Sequence, residues 1–176
     1  MIETERLILR QWRDEDYPIY AQLNADPMVM RYFPELMSRE QSDAQADRIR
    51  RHIANKGWGF WAVELKSSGE FIGFIGLHEQ QEESGIPHAP LIEAGWRLQA
   101  QHWGNGYATE GAKRAIRYAF EELDAPAVYA FTPLQHTASQ RVMIKAGMTN
   151  TGNDFNYSKI PAGHALERFC LYRIAR

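Results

Sequence analysis

The sequence is poor in cysteine, in long apolar runs and in excess charge of either sign, and each shortage removes a class of protein. Cys170 is the one cysteine, so the chain cannot close an internal disulfide or build a cysteine metal cluster, and a reducing compartment suits it. A small buried hydrophobe is its expected role. The 20 basic and 22 acidic side chains are interspersed and leave a formal net charge of -2, which gives no broad cationic face for nucleic acid or an anionic membrane. No segment approaches the roughly 20 apolar residues of a membrane span. The opening MIETERLILRQW is interrupted by charges and carries no signal-peptide run, so a cytoplasmic location is the expectation. What remains is 176 residues with 44% hydrophobic content, enough for one well-buried core and short for two. One domain over residues 1–176 is expected.

Residues 6–10 (RLILR) read as a short strand, and residues 14–24 as a helix opened by Asp14, with Pro18 tolerable near its first turn. Ser38 and Gln41 fit a capping box ahead of a polar helix that runs toward Asn55, and Gly57 and Gly59 end helical character. Residues 58–65 and 70–78 are rich in aromatic and β-branched side chains, and Ser67, Ser68 and Gly69 between them give the turn of a hairpin. QQEESGIPHAP is a polar loop, and LIEAGWRL, residues 91–98, resumes as a strand. From Tyr107 the period changes. Ala108, Ala112, Ala115, Ile116, Ala119, Phe120 and Leu123 recur at three- and four-residue spacing, while Glu110, Lys113, Arg114 and Arg117 face away, as an amphipathic helix requires. A strand AVYAF, a helix over 137–146 with Gly147 as its left-handed cap, and strands over 148–157 and 164–173 follow. The sum is a mixed α/β (α+β) fold of about seven strands and four helices.

The informative stretch is Gln101-His102-Trp103-Gly104-Asn105-Gly106-Tyr107-Ala108, between a strand and a helix. Glycines at 104 and 106 let the backbone turn tightly and approach a ligand, and the first free N–H groups of the helix point into the same space. A pyrophosphate fits such a nest of N–H groups at the positive end of a helix dipole. A tight connection with no ligand is an equally direct reading of two glycines. A Walker A loop needs Gly-Lys-Ser/Thr, where Gly106 is followed by Tyr107 and Ala108, and a Rossmann fingerprint needs a third glycine or alanine where Thr109 stands.

Gln101-x-x-Gly104-x-Gly106 resembles the coenzyme A signature of the GNAT superfamily of N-acetyltransferases. WGNGYATEG and ASQRVMIKAGM resemble the branch that holds the ribosomal-protein acetyltransferases RimJ and RimL, and the similarity extends from TERLILR to the last strand. The resemblance implies a GNAT fold with a mostly antiparallel sheet, and acetyl-CoA as co-substrate with no metal. It implies that Trp96, Arg97 and Leu98 lie on a splayed strand and present backbone groups to the pantetheine arm. His102 to Ala108 are then the pyrophosphate cradle. Family members usually carry Asn three residues before a serine on the later motif, where this sequence has His136 before Ser139. Many also carry a tyrosine acid four residues after that serine, where Met143 stands, which leaves Ser139 as the remaining donor to the departing sulfur.

Direct attack by an amine on a thioester needs a neutral nitrogen, a held carbonyl and an oxyanion donor. An acyl-enzyme route wants an activated Cys or Ser, and Cys170 has no local signature for it. Glu93, on the strand entering the cleft, is the first candidate for general base, with His78 and Glu79 in reserve. The acceptor is a peptide or protein N-terminus or a small-molecule amine. Its specificity is expected from the first two helices, the QQEESGIPHAP loop and the final hairpin. Tyr32, Phe33, Trp58, Phe60 and Trp61 are candidates to line its pocket, against the alternative of filling the core. Glu79, Glu82 and Glu83 form an acidic cluster that either attracts a cation or is a solvated loop. A noncatalytic coenzyme A binding or interaction module is the alternative, and a symmetric homodimer is an ordinary assembly at this size.

Overall fold

The computed structural model describes residues 2–176. In chain order the elements are β1 (Ile2–Glu3), β2 (Leu7–Arg10), α1 (Asp16–Asn24), α2 (Arg39–Lys56), β3 (Phe60–Leu65), β4 (Phe71–Gln80) and β5 (Leu91–Leu98). Then come α3 (Tyr107–Glu121), β6 (Ala127–Pro133), α4 (Thr137–Lys145), β7 (Thr149–Asn150), β8 (Phe155–Asn156) and β9 (Arg168–Ala175). They form one mixed sheet in the order β1-β2-β3-β4-β5-β6-β9-β7, with β8 also on β9. Every pairing is antiparallel except β5 with β6.

The strand count is nine rather than about seven, for local reasons. β1 adds two residues at the edge, and the expected strand over 148–157 breaks into β7 and β8. Thr151 donates both its amide and its hydroxyl to the Leu171 carbonyl, and Gly152 turns through a φ of 77°, which lifts 151–154 off the ladder. Helix α1 begins two residues later than Asp14 suggests. Asp14 pairs with Arg50, while Asp16 accepts the Arg13 amide and a two-point ion pair from Arg10. The Ser38 capping box forms as its residue types require: the Gln41 amide donates to the Ser38 hydroxyl, and the Ser38 amide donates to the Gln41 side chain. Gly147 follows α4 with a φ of 96°.

The sheet is buried on both faces by different partners. Ala112, Ala115, Ile116 and Ala119 of α3 pack with Ile75, Ala94 and Leu98, and a Cβ on Gly111 would lie 2.3 Å from Ile75 Cδ1. The small face of α3 thereby brings the helix axis close to the sheet. On the opposite face, α1 and α2 cover Phe74 and Phe71, and a second cluster of Ile86, Leu91, Phe155, Phe169 and Leu171 fills the β6–β9 side. Alternation along β5 sends Ala94 and Leu98 toward α3 and leaves Glu93, Gly95 and Arg97 on the α1/α2 face.

Candidate active site

Strands β5 and β6 run parallel but meet at one register position, Glu93 opposite Tyr129. Beyond it they separate toward their C-terminal ends, and backbone groups that face the gap have no ladder partner. The antiparallel ladder decides which groups these are. Gln99 donates to Ile72 O, so in alternation the N–H and C=O of residues 97, 95 and 93 also turn toward β4. Trp96 and Leu98 therefore present their backbone to the gap, and Arg97 does not. Placing the Arg97 backbone there is corrected by the pairing itself. The Leu98 carbonyl is in turn claimed by the Trp103 indole at 3.0 Å, which leaves its amide free.

The segment leaving β5 makes a 3-10 turn over Ala100–His102 and enters α3 through Gly104 and Gly106, both with φ near 80°. At that backbone angle an L side chain is strained, so the two glycines are needed for the conformation. Among the described residues, the amides of 104 to 109 donate to nothing, and the first bond of the helix is Glu110 N to Gly106 O at 3.0 Å. Six successive N–H groups at the positive end of a 15-residue helix can receive an anion. His102 and Trp103 fall outside this nest, since their amides donate to Gln99 O and Ala100 O in the 3-10 turn. Gln101 and His102 turn their side chains back to Glu70, the imidazole at 2.6 Å. Asn105 bridges the loop by donating to the His102 and Trp103 carbonyls.

Across the gap, α4 brings His136 and Ser139. His136 precedes the first turn, stacks on Tyr32 with ring centroids 4.2 Å apart and has Nδ1 3.2 Å from the Thr132 hydroxyl. Burial pushes its imidazole down to about 4, so the ring is neutral. Ser139 is buried, and its hydroxyl has no hydrogen bond to the described residues. Met143 is 1% exposed and sits in the core with Ala146 and Met148.

Glu93 keeps part of its surface open, yet its carboxyl lies among side chains of the α1/α2 face. Burial raises it to about 7, against a lowering by the Gln80 amide, which donates to Oε1 at 2.7 Å, and by the charge of Lys159. The other oxygen, Oε2, lies toward Gly95, 3.9 Å from where a Cβ there would stand. His78 faces Glu93 across the ladder, and its imidazole is held down by burial first and then by His52 and Lys159. The reserve acid Glu79 pairs with Lys56 at 3.5 Å.

Comparison with known proteins decides the family. The profile of the acetyltransferase (GNAT) domain matches residues 6–149. The chain belongs to the GNAT acetyltransferase family. It is 34% identical over 146 residues to the uncharacterized protein YkkB of Bacillus subtilis, covering 82% of this chain and 83% of that one. It is 30% identical to the FsC-acetyl coenzyme A-N(2)-transacetylase of Aspergillus fumigatus, covering 99% of this chain and 76% of the relative. The crystal structure of a GNAT acetyltransferase from Bacillus anthracis superposes with a TM-score of 0.80 at 26% identity, over 99% of this chain and 97% of that one. The protein is thus an N-acetyltransferase, of a family whose acetyl donor is acetyl-CoA.

The aromatic candidates of this acetyltransferase divide between the gap and the core. Residues 25–38, between α1 and α2, carry Tyr32 onto His136 and Phe33 onto the Arg97 guanidinium at 4.5 Å, so one loop touches both sides of the gap. Phe60 lies against Gly95, where a Cβ would meet its ring at 2.9 Å, and stacks on His78. Trp58 and Trp61 are core residues instead, Trp61 edge-on to Tyr118 of α3. Glu82 and Glu83 lie exposed in a 3-10 turn. Glu110, in the first turn of α3, accepts from the Thr4 hydroxyl and from the Arg6 amide and guanidinium, tying the nest to the segment before β2. Only the acidic residue in a helix's first turn signalled it. Among the described residues no cluster of His, Cys, Asp or Glu is placed to hold a metal, and no helix is long and apolar enough to cross a membrane.

Proposed function

We propose that the enzyme moves the acetyl group of acetyl-CoA directly to a primary amine in a ternary complex, with Glu93 as general base. The observation that carries this reading is the gap between β5 and β6, bordered by the free Trp96 and Leu98 amides and leading to the six unpaired amides of 104–109. Residues 104–108 hold the pyrophosphate, Trp96 and Leu98 pair with the pantetheine arm, and His136 donates or accepts beside it as a neutral ring. Bound acetyl-CoA supplies the acyl group as an activated thioester.

The acceptor enters on the α1/α2 face as an ammonium ion. Glu93 takes its proton at Oε2, directly or through one water, and frees the nitrogen lone pair for the carbonyl carbon. The Trp96 amide donates to the carbonyl oxygen as negative charge develops there. When the C–S bond breaks, the Ser139 hydroxyl passes a proton to the departing sulfur and takes in its place the proton that the acylated nitrogen loses, a relay that the apolar Met143 cannot provide. An N-terminal α-amine titrates near about 8, so a carboxyl titrating near about 7 is a matched base. The acceptor is a peptide N-terminus or a small-molecule amine, and the two motifs WGNGYATEG and ASQRVMIKAGM support a place in the RimJ/RimL-like branch.

Thiol release from saturating acetyl-CoA, screened over N-terminal peptides, polyamines, amino acids and aminoglycosides, tests the reaction. On the best acceptor, the parent rate should climb with pH and level above about 7 as Glu93 ionises. Glu93→Gln should lower kcat by about a hundredfold or more and lose that limb. An unchanged kcat and profile in the variant removes Glu93 from the chemistry.

A further inference from the structure

On the acceptor face stands a cation without a counter-charge. Arg97 Nη1 donates to three neutral acceptors: Asn24 Oδ1 at 2.7 Å, Gln45 Oε1 at 3.2 Å and the Tyr20 hydroxyl at 3.3 Å. No carboxylate among the described residues forms an ion pair with it. Arg10, the other arginine held inside this half of the molecule, is neutralised by Asp16 and Glu64. The platform under Arg97 is built: Tyr20, Asn24 and Ser42 are fully buried, and Asn24 is itself held by the Ser42 hydroxyl at 3.0 Å. The remaining edge of the guanidinium is unused. Nε is buried with no partner, and Nη2 beside it has no hydrogen bond and is not sealed from solvent. Of the two, Nη2 is the donor that an incoming carboxylate can reach.

Position gives the edge a meaning. Arg97 follows Glu93 by four residues on the same face of β5, about 13 Å along the strand. Between them is Gly95, and the partly exposed Phe60 ring lies over that glycine. Phe33, 37% exposed, closes the far side of the guanidinium. Base, aromatic wall and unpaired cation thus follow one another along one face of β5. We infer that the acceptor is an amine that also bears a carboxylate, separated from the nitrogen by an apolar spacer that crosses Phe60, and that Arg97 reads the carboxylate through Nη2. A polyamine is repelled by the same charge. The inference rests on the proposed placement of the acceptor beside Glu93.

The test pairs each acceptor with its amide: ω-amino acids from β-alanine to 6-aminohexanoic acid, and dipeptides such as glycylglycine, each against the carboxamide form. The amino acids and dipeptides separate a free metabolite-like acid from a peptide C-terminus as the source of the carboxylate. The parent should prefer the acid over the amide by at least tenfold in kcat/KM, with an optimum at one spacer length. Arg97→Gln should abolish the preference, Arg97→Lys should keep part of it, and Glu93→Gln should lower rates on acid and amide alike. A purely structural Arg97 predicts instead an equal fall on both members of each pair. Equal parental rates on acid and amide, transfer confined to spermidine, or a preference that survives in Arg97→Gln overturns the inference while leaving acetyl transfer standing. Loss of transfer to every amine, with coenzyme A still bound by calorimetry, overturns the proposed reaction as well. The parental comparison needs no variant to fold.

Discussion

The carboxyl of Glu93 stays protonated up to about pH 7 because neighbours have replaced the water around it, and the same desolvation acts on stability. In the unfolded chain this group titrates near 4.5, so between that value and about 7 the native state holds a proton that the unfolded state has lost. Its contribution to stability is therefore full below 4.5 and declines as pH rises through about 7. Glu93→Gln, which cannot ionise, should gain on the parent by up to about 3 kcal/mol between acid pH and about pH 8 in paired urea titrations. An unchanged difference across that range means that the carboxyl is hydrated. Cys170 shows the same effect of burial on a thiol. It is 1% exposed with Sγ 3.5 Å from the Thr132 carbonyl, and burial pushes its thiol up. Such a sulfur is a poor nucleophile, so Cys170→Ala should keep kcat within about twofold, and mass spectrometry after incubation with acetyl-CoA should find no acetylated enzyme. The residue identities at 93 and 170 were plain in the sequence. Their surroundings were not, because Gln80, Lys159 and Thr132 reach them only through sheet pairing and loop closure.

Among the elements, β5 with its exit into α3 was the most legible, because the conformation is a local matter. Two glycines two residues apart before an amphipathic period permit the left-handed entry that the chain adopts, and the first amides of any helix have no acceptor within it. Gly106→Trp strains the left-handed entry and puts a ring over the nest, beside Arg6, whose guanidinium is 3.4 Å from the Cβ position, while the body of α3 stays packed on the sheet. Coenzyme A affinity by calorimetry should fall at least tenfold with little change in the far-ultraviolet dichroism, and an undiminished affinity removes the nest as the pyrophosphate site. Strands 148–157 were harder to read. One strand over 148–157 was the expectation, and the break came from Thr151 bonding to Leu171 of a neighbour 20 residues away.

At the scale of the whole molecule, the sheet separates two tasks: α3 and α4 face the side of the amide nest, and α1, α2 and the 25–38 loop face the side of Glu93 and Arg97. Two substrates that approach from opposite sides can be bound together, so initial-rate plots at varied acetyl-CoA and amine should intersect; parallel lines contradict direct transfer. The α1 side is also braced by a buried ion network, Arg10 with Asp16 at 2.8 and 3.0 Å and with Glu64 at 2.9 Å. Asp16→Asn strands part of that charge and should cost about 3 kcal/mol in urea unfolding. The sequence by itself determined the helix and strand types, the capping box at Ser38 and the glycine-led nest, since periodicity and backbone strain act over a few residues. Only the tertiary structure decided that Arg97 turns its backbone to β4 and its cation onto Asn24 and Phe33, that Tyr32 meets His136, and that Glu93 loses its water. Register and burial are set by partners far along the chain, and no short window of residues contains them.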